Sequence, residues 1–320
     1  MLVGIAKMAA ESERLVSKRQ VEYFELPART ILNRVKPGMP FQWAINPYRG
    51  CEFGCRYCYA RYTHEFMELK EGWQFEDMIY AKAHVAALLR RDLRKAARED
   101  GIAIGTATDP YQPAERRFNR TRAILEVFAA DKGRHLGIIT KSDLIVRDIP
   151  LLAEVARSNV LHVTLTITTL DADLARLLEP RAPRPDLRLA AVERLAQAGL
   201  HVGVNAMPVL PLLTDSEANL DSLAAAVKTA GATRFGGGLV FLMQSAQKVF
   251  FPFLEEHFPH LVRRYKERFE KNAYLRGPYQ ETIAARVRKI RARHGLDSAL
   301  VDYQPEAWAG EQQLELFPLP

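Results

Sequence analysis

The run Gly50-Cys51-Glu52-Phe53-Gly54-Cys55-Arg56-Tyr57-Cys58-Tyr59 contains every cysteine of the 320-residue chain, in the spacing C-x3-C-x2-C. No thiol remains for a disulfide, which suits a reducing cytoplasm, and thiols gathered in one loop there read as metal ligands. Three thiolates can hold three corners of a four-iron cluster and leave the fourth iron open to a substrate or cofactor. A structural zinc site is the alternative. His64 follows Cys58 after five intervening residues and would complete a tetrahedral set, making the chain a non-catalytic, zinc-stabilised nucleic-acid-binding protein. The position of the loop favours iron, because the loop directly follows a strand-like segment at residues 42–46.

Outward from this loop, strand-like and helix-like segments alternate. Apolar or β-branched runs at residues 102–107, 135–140, 161–168, 201–207 and 235–242 predict further strands. Between them, Val85, Leu89 and Leu93 share one helical face, as do Ile124 with Phe128 and Ile145 with Ile149. Asp186 is placed to cap a helix running through Ala191, Val192 and Leu195 to Gly199. Thr214 and Glu217 have capping-box spacing ahead of Leu220, Leu223 and Val227. Successive βα units need right-handed crossovers, hence an α/β fold whose parallel sheet curls into a full or partial barrel. Chemistry then belongs to the residues that follow each strand.

Charge is unevenly distributed. The chain carries 45 Lys and Arg against 38 Asp and Glu, a net +7. The last twenty residues hold Asp302, Glu306, Glu311 and Glu315 and no basic residue, so residues 1–300 have 45 basic against 34 acidic side chains, a net +11. A basic body points to a polyanionic partner such as nucleic acid. No apolar run reaches the roughly 18 residues of a membrane span, and the N-terminus lacks a signal-peptide core.

The loop, with an aromatic residue before its last cysteine and a (β/α) barrel following, resembles the radical SAM superfamily signature. Asn46-Pro47-Tyr48-Arg49-Gly50-Cys51, Tyr57-Cys58-Tyr59-Ala60-Arg61, Thr108-Asp109-Pro110-Tyr111-Gln112-Pro113 with Glu115, and Thr140-Lys141-Ser142 are together similar to the spore photoproduct lyase-like branch, a DNA repair photolyase type. The resemblance covers residues 43–245. It implies a partial parallel (β/α)6 barrel at 43–245, preceded by an extension at 1–42 and followed by a basic helical region at 246–300 and a flexible acidic tail at 301–320. It further implies a lyase-like enzyme in which Cys51, Cys55 and Cys58 hold a [4Fe–4S] cluster and S-adenosylmethionine (SAM) chelates the open iron. Reductive cleavage of SAM then gives a 5′-deoxyadenosyl radical that abstracts hydrogen from substrate, with flavodoxin or ferredoxin as electron donor. DNA repair is the leading expectation; RNA, a peptide or a metabolite is the alternative substrate.

The same resemblance suggests individual roles. Tyr57 matches an aromatic residue beside the cluster and adenine, and Lys141 a lysine that approaches the SAM carboxylate. Asp109 and Thr140 fall at cofactor-facing positions, and Tyr59 matches a tyrosine in a radical relay. Spore photoproduct lyase keeps a hydrogen-donor cysteine where this chain has Ala107. With no fourth cysteine, Tyr59 or Tyr111 becomes the candidate donor, or the reaction differs from thymine-dimer reversal.

Residues 261–293 contain eleven Lys or Arg against three Glu, interleaved with Tyr265, Phe269, Tyr274 and Tyr279. Ile283, Val287 and Ile290 mark a buried helical face, leaving Arg286, Arg288, Lys289, Arg291 and Arg293 outward as candidate phosphate contacts. At the end of the chain, Gln313-Leu314-Glu315-Leu316-Phe317 resembles the bacterial sliding-clamp-binding peptide. Leu314, Leu316 and Phe317 would enter an apolar groove, with Gln313 bonding at its rim.

Overall fold

Alternating apolar positions lay down the strands β1 (Glu13–Lys18), β2 (Val21–Leu26), β3 (Leu32–Arg34), β4 (Trp43–Ile45), β5 (Tyr48–Arg49), β6 (Met78–Lys82), β7 (Gly101–Ile104), β8 (His135–Thr140), β9 (Val160–Thr166), β10 (His201–Val209) and β11 (Arg234–Leu239). The computed structural model describes residues 2–18, 20–297 and 304–307. Seven strands form one sheet in the order β11-β10-β9-β8-β7-β4-β3. The six from β4 to β11 are parallel, each beside its predecessor in the sheet, and β3 is antiparallel to β4 at the edge. This is the expected α/β arc of six βα units, with β11 and β3 as its edges.

Alternation along these strands separates the two faces of the sheet. Ile102 and Ile104, Leu136 and Ile138, Leu161, Val163 and Leu165, and Val202 and Val204 are buried against Leu89, Ile124, Phe128, Val155, Val192, Leu195, Leu223 and Val227 of the outer helices. The intervening Gly137, Ile139, His162, Thr164, Asn205 and Gly236 are only half-buried. Apolar residues therefore bond the sheet to its helices, and the concave side, Ile139 apart, is lined by small or polar ones.

Helix boundaries depart from the sequence reading at two caps. Ser216, not Thr214, caps the helix Glu217–Thr229, its hydroxyl accepting from Asn219 N. The Thr214 hydroxyl instead accepts from Leu210 N at 2.8 Å. The helix Pro185–Gln197 starts behind Arg184 with proline in its first turn, and Asp186 lies inside it, paired to Arg184. Ile145 belongs to a 3-10 turn, Asp143–Asp148, and the α-helix proper starts at Ile149.

The N-terminal segment is more integrated than an extension ending at residue 42. A second sheet has the order β1-β2-β6-β5, so β2 pairs in parallel with a strand that lies beyond the cysteine loop in sequence. Tyr23 Oη donates to Glu52 Oε2 at 2.9 Å, tying this sheet to the loop itself. The region after residue 245 is likewise no separate unit. The helix Gln244–His257 packs Phe250, Phe253 and Leu254 into the cluster that contains Cys51 and Cys55.

Asp92 fastens the start of β3 to the core. Its carboxylate accepts from Thr30 Oγ1 at 2.6 Å and Ile31 N at 2.9 Å, and it pairs with Lys95 at 3.1 Å. Burial opposes its ionisation, but these donors outweigh burial and hold it below the ordinary carboxylate range. A depressed folded-state pKa contributes stability that is present above the unfolded value, about 3.9, and is lost as pH falls through the folded one. Asp92→Asn is expected to lower the stability measured by denaturant unfolding near neutral pH by roughly 1.5–3 kcal/mol, the worth of charge-assisted hydrogen bonds. The gap to the parent protein closes as the solution is acidified.

Candidate active site

The cysteine loop leaves β5 at the C-terminal end of the parallel strands and is held from both sides by backbone bonds. Gly50 turns the chain at φ +81°, where a Cβ would meet the carbonyl oxygens of Phe75 at 2.8 Å and Met78 at 2.9 Å. No other residue fits that turn without displacing backbone. The Gly50 carbonyl accepts from Thr108 Oγ1 at 2.5 Å and Gln112 Nε2 at 3.0 Å, and Glu52 N donates to Gln112 Oε1 at 3.0 Å. Gln112 is thus a wholly buried bracket between the loop and the segment after β7. On the opposite side, Arg56 N donates to Leu178 O at 2.9 Å. Arg61 closes the base, pairing with Glu76 at 2.6 Å and donating to Cys55 O at 3.0 Å.

All three thiols are free, Cys51 and Cys55 buried and Cys58 partly so, among Phe53, Tyr57, Phe75, Leu242 and Phe250. Burial pushes the Cys55 thiol up to about 12 and raises Cys51 and Cys58 as well. Bound iron inverts that logic, because a coordinated thiol is deprotonated outright. His64 does not join them. Its Nε2 bonds the Met78 carbonyl at 3.0 Å, its ring packs on Phe75 and Tyr80, and its Nδ1 is buried with no hydrogen-bond partner. Among the described residues, no group of three His, Cys, Asp or Glu side chains is arranged to hold a single metal ion. Three soft thiolates without a fourth protein donor fit an iron–sulfur cluster with one open corner.

A buried charge network stands beside the loop. Tyr57 Oη donates to Glu179 Oε1, and Glu179 Oε2 lies 2.5 Å from Arg188 Nη2 in a pair whose side chains are 0% and 1% exposed. Arg188 also donates to Thr166 O at 3.0 Å and Pro183 O at 2.8 Å. The Lys141 ammonium lies 5.7 Å from the Tyr57 ring centroid. Burial alone would lower Lys141, but the thiolate form of Cys55 and the Glu179 and Asp109 carboxylates outweigh it and hold the ammonium above its ordinary range. Arg188 pairs directly with Glu179, while the Lys141 ammonium feels the Glu179 and Asp109 carboxylates, so two cations stand beside the cysteine loop. Sequence reading found Tyr57 and Lys141 but missed Glu179, whose Glu-Pro-Arg context reads as a turn, and Arg188, one of several charged residues on the helix Pro185–Gln197.

Three other expected positions have different roles. Asp109 spends its carboxylate on Thr140 Oγ1 at 2.6 Å, Lys141 N at 2.7 Å and Tyr111 N at 2.9 Å. Asp109 and Thr140 thus lock together the ends of β7 and β8, so their expected cofactor roles give way to a structural one. Tyr111 is wholly buried in the helix-facing core, near Asp148 and Glu115. It turns away from the concave side, which removes it as a hydrogen donor. Tyr59 is 38% exposed and its hydroxyl donates to Thr106 O, the carbonyl that precedes Ala107.

The radical SAM superfamily model matches residues 45–224. The chain belongs to the radical SAM superfamily. As a radical SAM enzyme it works with SAM and an iron–sulfur cluster, and the thiol loop lies within the matched residues. An uncharacterized protein of Mycobacterium tuberculosis is 38% identical over 279 residues, 86% of this chain and 82% of its own length. An uncharacterized protein of Methanocaldococcus jannaschii is 29% identical over 241 residues, 75% of this chain and 85% of the relative. Spore photoproduct lyase complexed with dinucleoside spore photoproduct superposes with a TM-score of 0.61 at 15% identity, over 85% of this chain and 79% of that one. This likeness is one of fold.

The basic helix of this radical SAM protein, Pro278–His294, does not present the expected cationic stripe. Arg286 donates to the Asp215 carbonyl, Arg291 pairs with Asp297 at 2.6 Å, and Arg293 pairs with Asp221 at 2.6 Å. The bridge between Arg234 and Asp297 also puts the end of this helix at the N-terminal edge of β11, opposite the cysteine loop. Arg288 and Lys289 remain exposed. Gln313, Leu314, Leu316 and Phe317 lie outside the described residues. No helix among the described residues is long and apolar enough to cross a membrane.

Proposed function

We propose that this radical SAM enzyme carries a [4Fe–4S] cluster on Cys51, Cys55 and Cys58 and acts on DNA, in lesion repair. The observation that supports the cluster most is the single loop of three free thiols, with no fourth donor grouped with them among the described residues and the Lys141 ammonium close by. When bound, the cluster and SAM together supply a 5′-deoxyadenosyl radical for hydrogen abstraction. Lys141 offers its ammonium to the SAM carboxylate, with Arg188 and Glu179 fixing the Tyr57 wall next to it. Phe53, Phe75 and Phe250 keep water from the thiols. Tyr59 holds its hydroxyl against the Thr106 carbonyl, at the position from which a hydrogen atom can be returned to a substrate radical in the absence of a fourth cysteine.

DNA as substrate is supported by the positive charge of residues 1–300 and by the likeness of fold to a lyase whose solved structures hold a dinucleoside photoproduct. An electron donor of the flavodoxin or ferredoxin type, a reducing cytoplasm, and a sliding clamp that takes Gln313, Leu314, Leu316 and Phe317 complete the proposal.

The test uses anaerobically reconstituted enzyme, dithionite, SAM and lesion-bearing oligonucleotides. The expected result is 5′-deoxyadenosine formation that rises when a damaged oligonucleotide is added, together with a repaired product. Tyr59→Phe is expected to retain SAM cleavage and lose product at least tenfold, as removal of a positioned proton or hydrogen donor does. SAM turnover indifferent to every oligonucleotide would remove DNA from the account.

A further inference from the structure

Five aromatic rings run in an unbroken row from the cysteine loop across the mouth of the barrel. Phe66 meets Tyr62 edge-on at 5.7 Å, and Tyr62 lies parallel to Tyr59 at 6.5 Å. Tyr59 leans on Phe241 at 5.8 Å, and Phe241 stacks on Tyr274 at 4.2 Å and 18°. Three separate parts of the chain contribute: the segment after the cysteines, the end of β11, and the loop before the last helix. The bond from Leu242 N to Ala273 O at 3.0 Å fixes that last loop to the strand end. Such rings belong in a core, yet Phe66 is 60% exposed, Tyr274 57% and Tyr59 38%.

At the Phe66 end the flanking carboxylates Glu65 and Glu68 are paired with Lys248 and Lys70, while unpaired cations border the rest of the row. Arg49 precedes the loop, donates to Thr63 O at 3.3 Å, and keeps its Nε buried with no hydrogen-bond partner. Lys271 and Arg276, either side of Tyr274, are exposed and form no ion pair among the described residues. Aromatic faces beside unpaired cations are what a single-stranded nucleic acid needs, because rings stack on unpaired bases and cations meet the phosphates. A duplex hides its bases from such a surface.

We propose that the row Phe66–Tyr62–Tyr59–Phe241–Tyr274 is a stacking track for unpaired bases of a nucleic-acid strand, which delivers one nucleotide to the radical source below Tyr59. This inference rests on the DNA reading above and specifies the form of DNA that is taken: strand with its bases turned out.

The experiment measures binding of fluorescent probes to the cluster-loaded protein by anisotropy. The probes are a short oligothymidylate, the matching duplex, and an abasic strand of equal charge. The oligothymidylate is expected to bind at least tenfold tighter than the other two. Tyr274→Ala and Phe66→Ala, both at exposed sites, are each expected to weaken it about tenfold, the worth of one base stack, while 5′-deoxyadenosine formation without DNA stays unchanged. Equal binding of the abasic strand, or ring variants that bind like the parent, would overturn the track and leave the DNA reading standing. Displacement of the oligonucleotide by an apolar peptide but not by abasic strand, with ring variants unaffected for DNA, would assign the row to a protein partner instead. No binding of any DNA by enzyme that still cleaves SAM would overturn both.

Discussion

Replacing any one of Cys51, Cys55 and Cys58 by Ala is expected to yield a folded protein that has lost most of its iron and forms 5′-deoxyadenosine only at background rate. The reasoning is in the donor count. Only three thiols sit in the loop, and among the described residues His64 does not join them in a metal-holding group, so no neighbour stands in place of a missing ligand. Loss of an outer-shell partner typically costs about 10–100-fold in metal affinity or activity, and loss of a ligand costs more. Folding is expected to survive, because a free buried cysteine packs as a small apolar side chain and the backbone of the loop is held independently by Gln112 and Arg61. Anaerobic iron and sulfide assays with a thermal melt of each variant separate loss of metal from loss of fold.

The second large effect belongs to the pair Glu179 and Arg188. Arg188→Met leaves the Glu179 carboxylate unpaired in a site that is 0% exposed, and breaking one side of a buried pair costs about 3–5 kcal/mol. For a chain of this size that lowers the melting temperature by on the order of 10 °C. The double variant Glu179→Gln with Arg188→Met removes both charges and is expected to regain much of the stability. Its affinity for SAM is expected to stay low. The two lost charges cancel and the Lys141 ammonium stays, but Tyr57 has lost the ionised partner that fixes its hydroxyl. Equilibrium dialysis of SAM against the single and double variants reads this directly: stability that returns without SAM affinity identifies the pair as positioning the cofactor wall. Return of both would make the pair purely structural.

These residues also show how far sequence alone reaches. The cysteine loop was legible because its chemistry is local: three ligands within eight positions, behind a strand and ahead of βα units whose apolar periodicity is clear. Lys141 and Tyr59 were legible because each directly follows a feature that could be placed. Glu179 was not, since 122 positions separate it from the Tyr57 hydroxyl that it accepts and nothing in its own neighbourhood marks a burial site. Tyr111 and Thr140 were assigned to the concave side from their place after a strand, yet Tyr111 turns into the helical layer and Thr140 is consumed by Asp109. The helix of residues 278–294 looked like a phosphate-binding stripe because its acidic partners, Asp215, Asp221 and Asp297, lie in other segments. β2 and β6 pair across the cysteine loop, a long-range contact that local patterning does not signal.

The account depends on one chemical fact more than any other, the identity of the group that the three thiols hold. Protein purified without oxygen should be brown, contain about four irons and four sulfides per chain as expected for one cubane cluster, and release 5′-deoxyadenosine from SAM after reduction. A colourless protein with stoichiometric zinc, and no 5′-deoxyadenosine after iron and sulfide reconstitution, would contradict it.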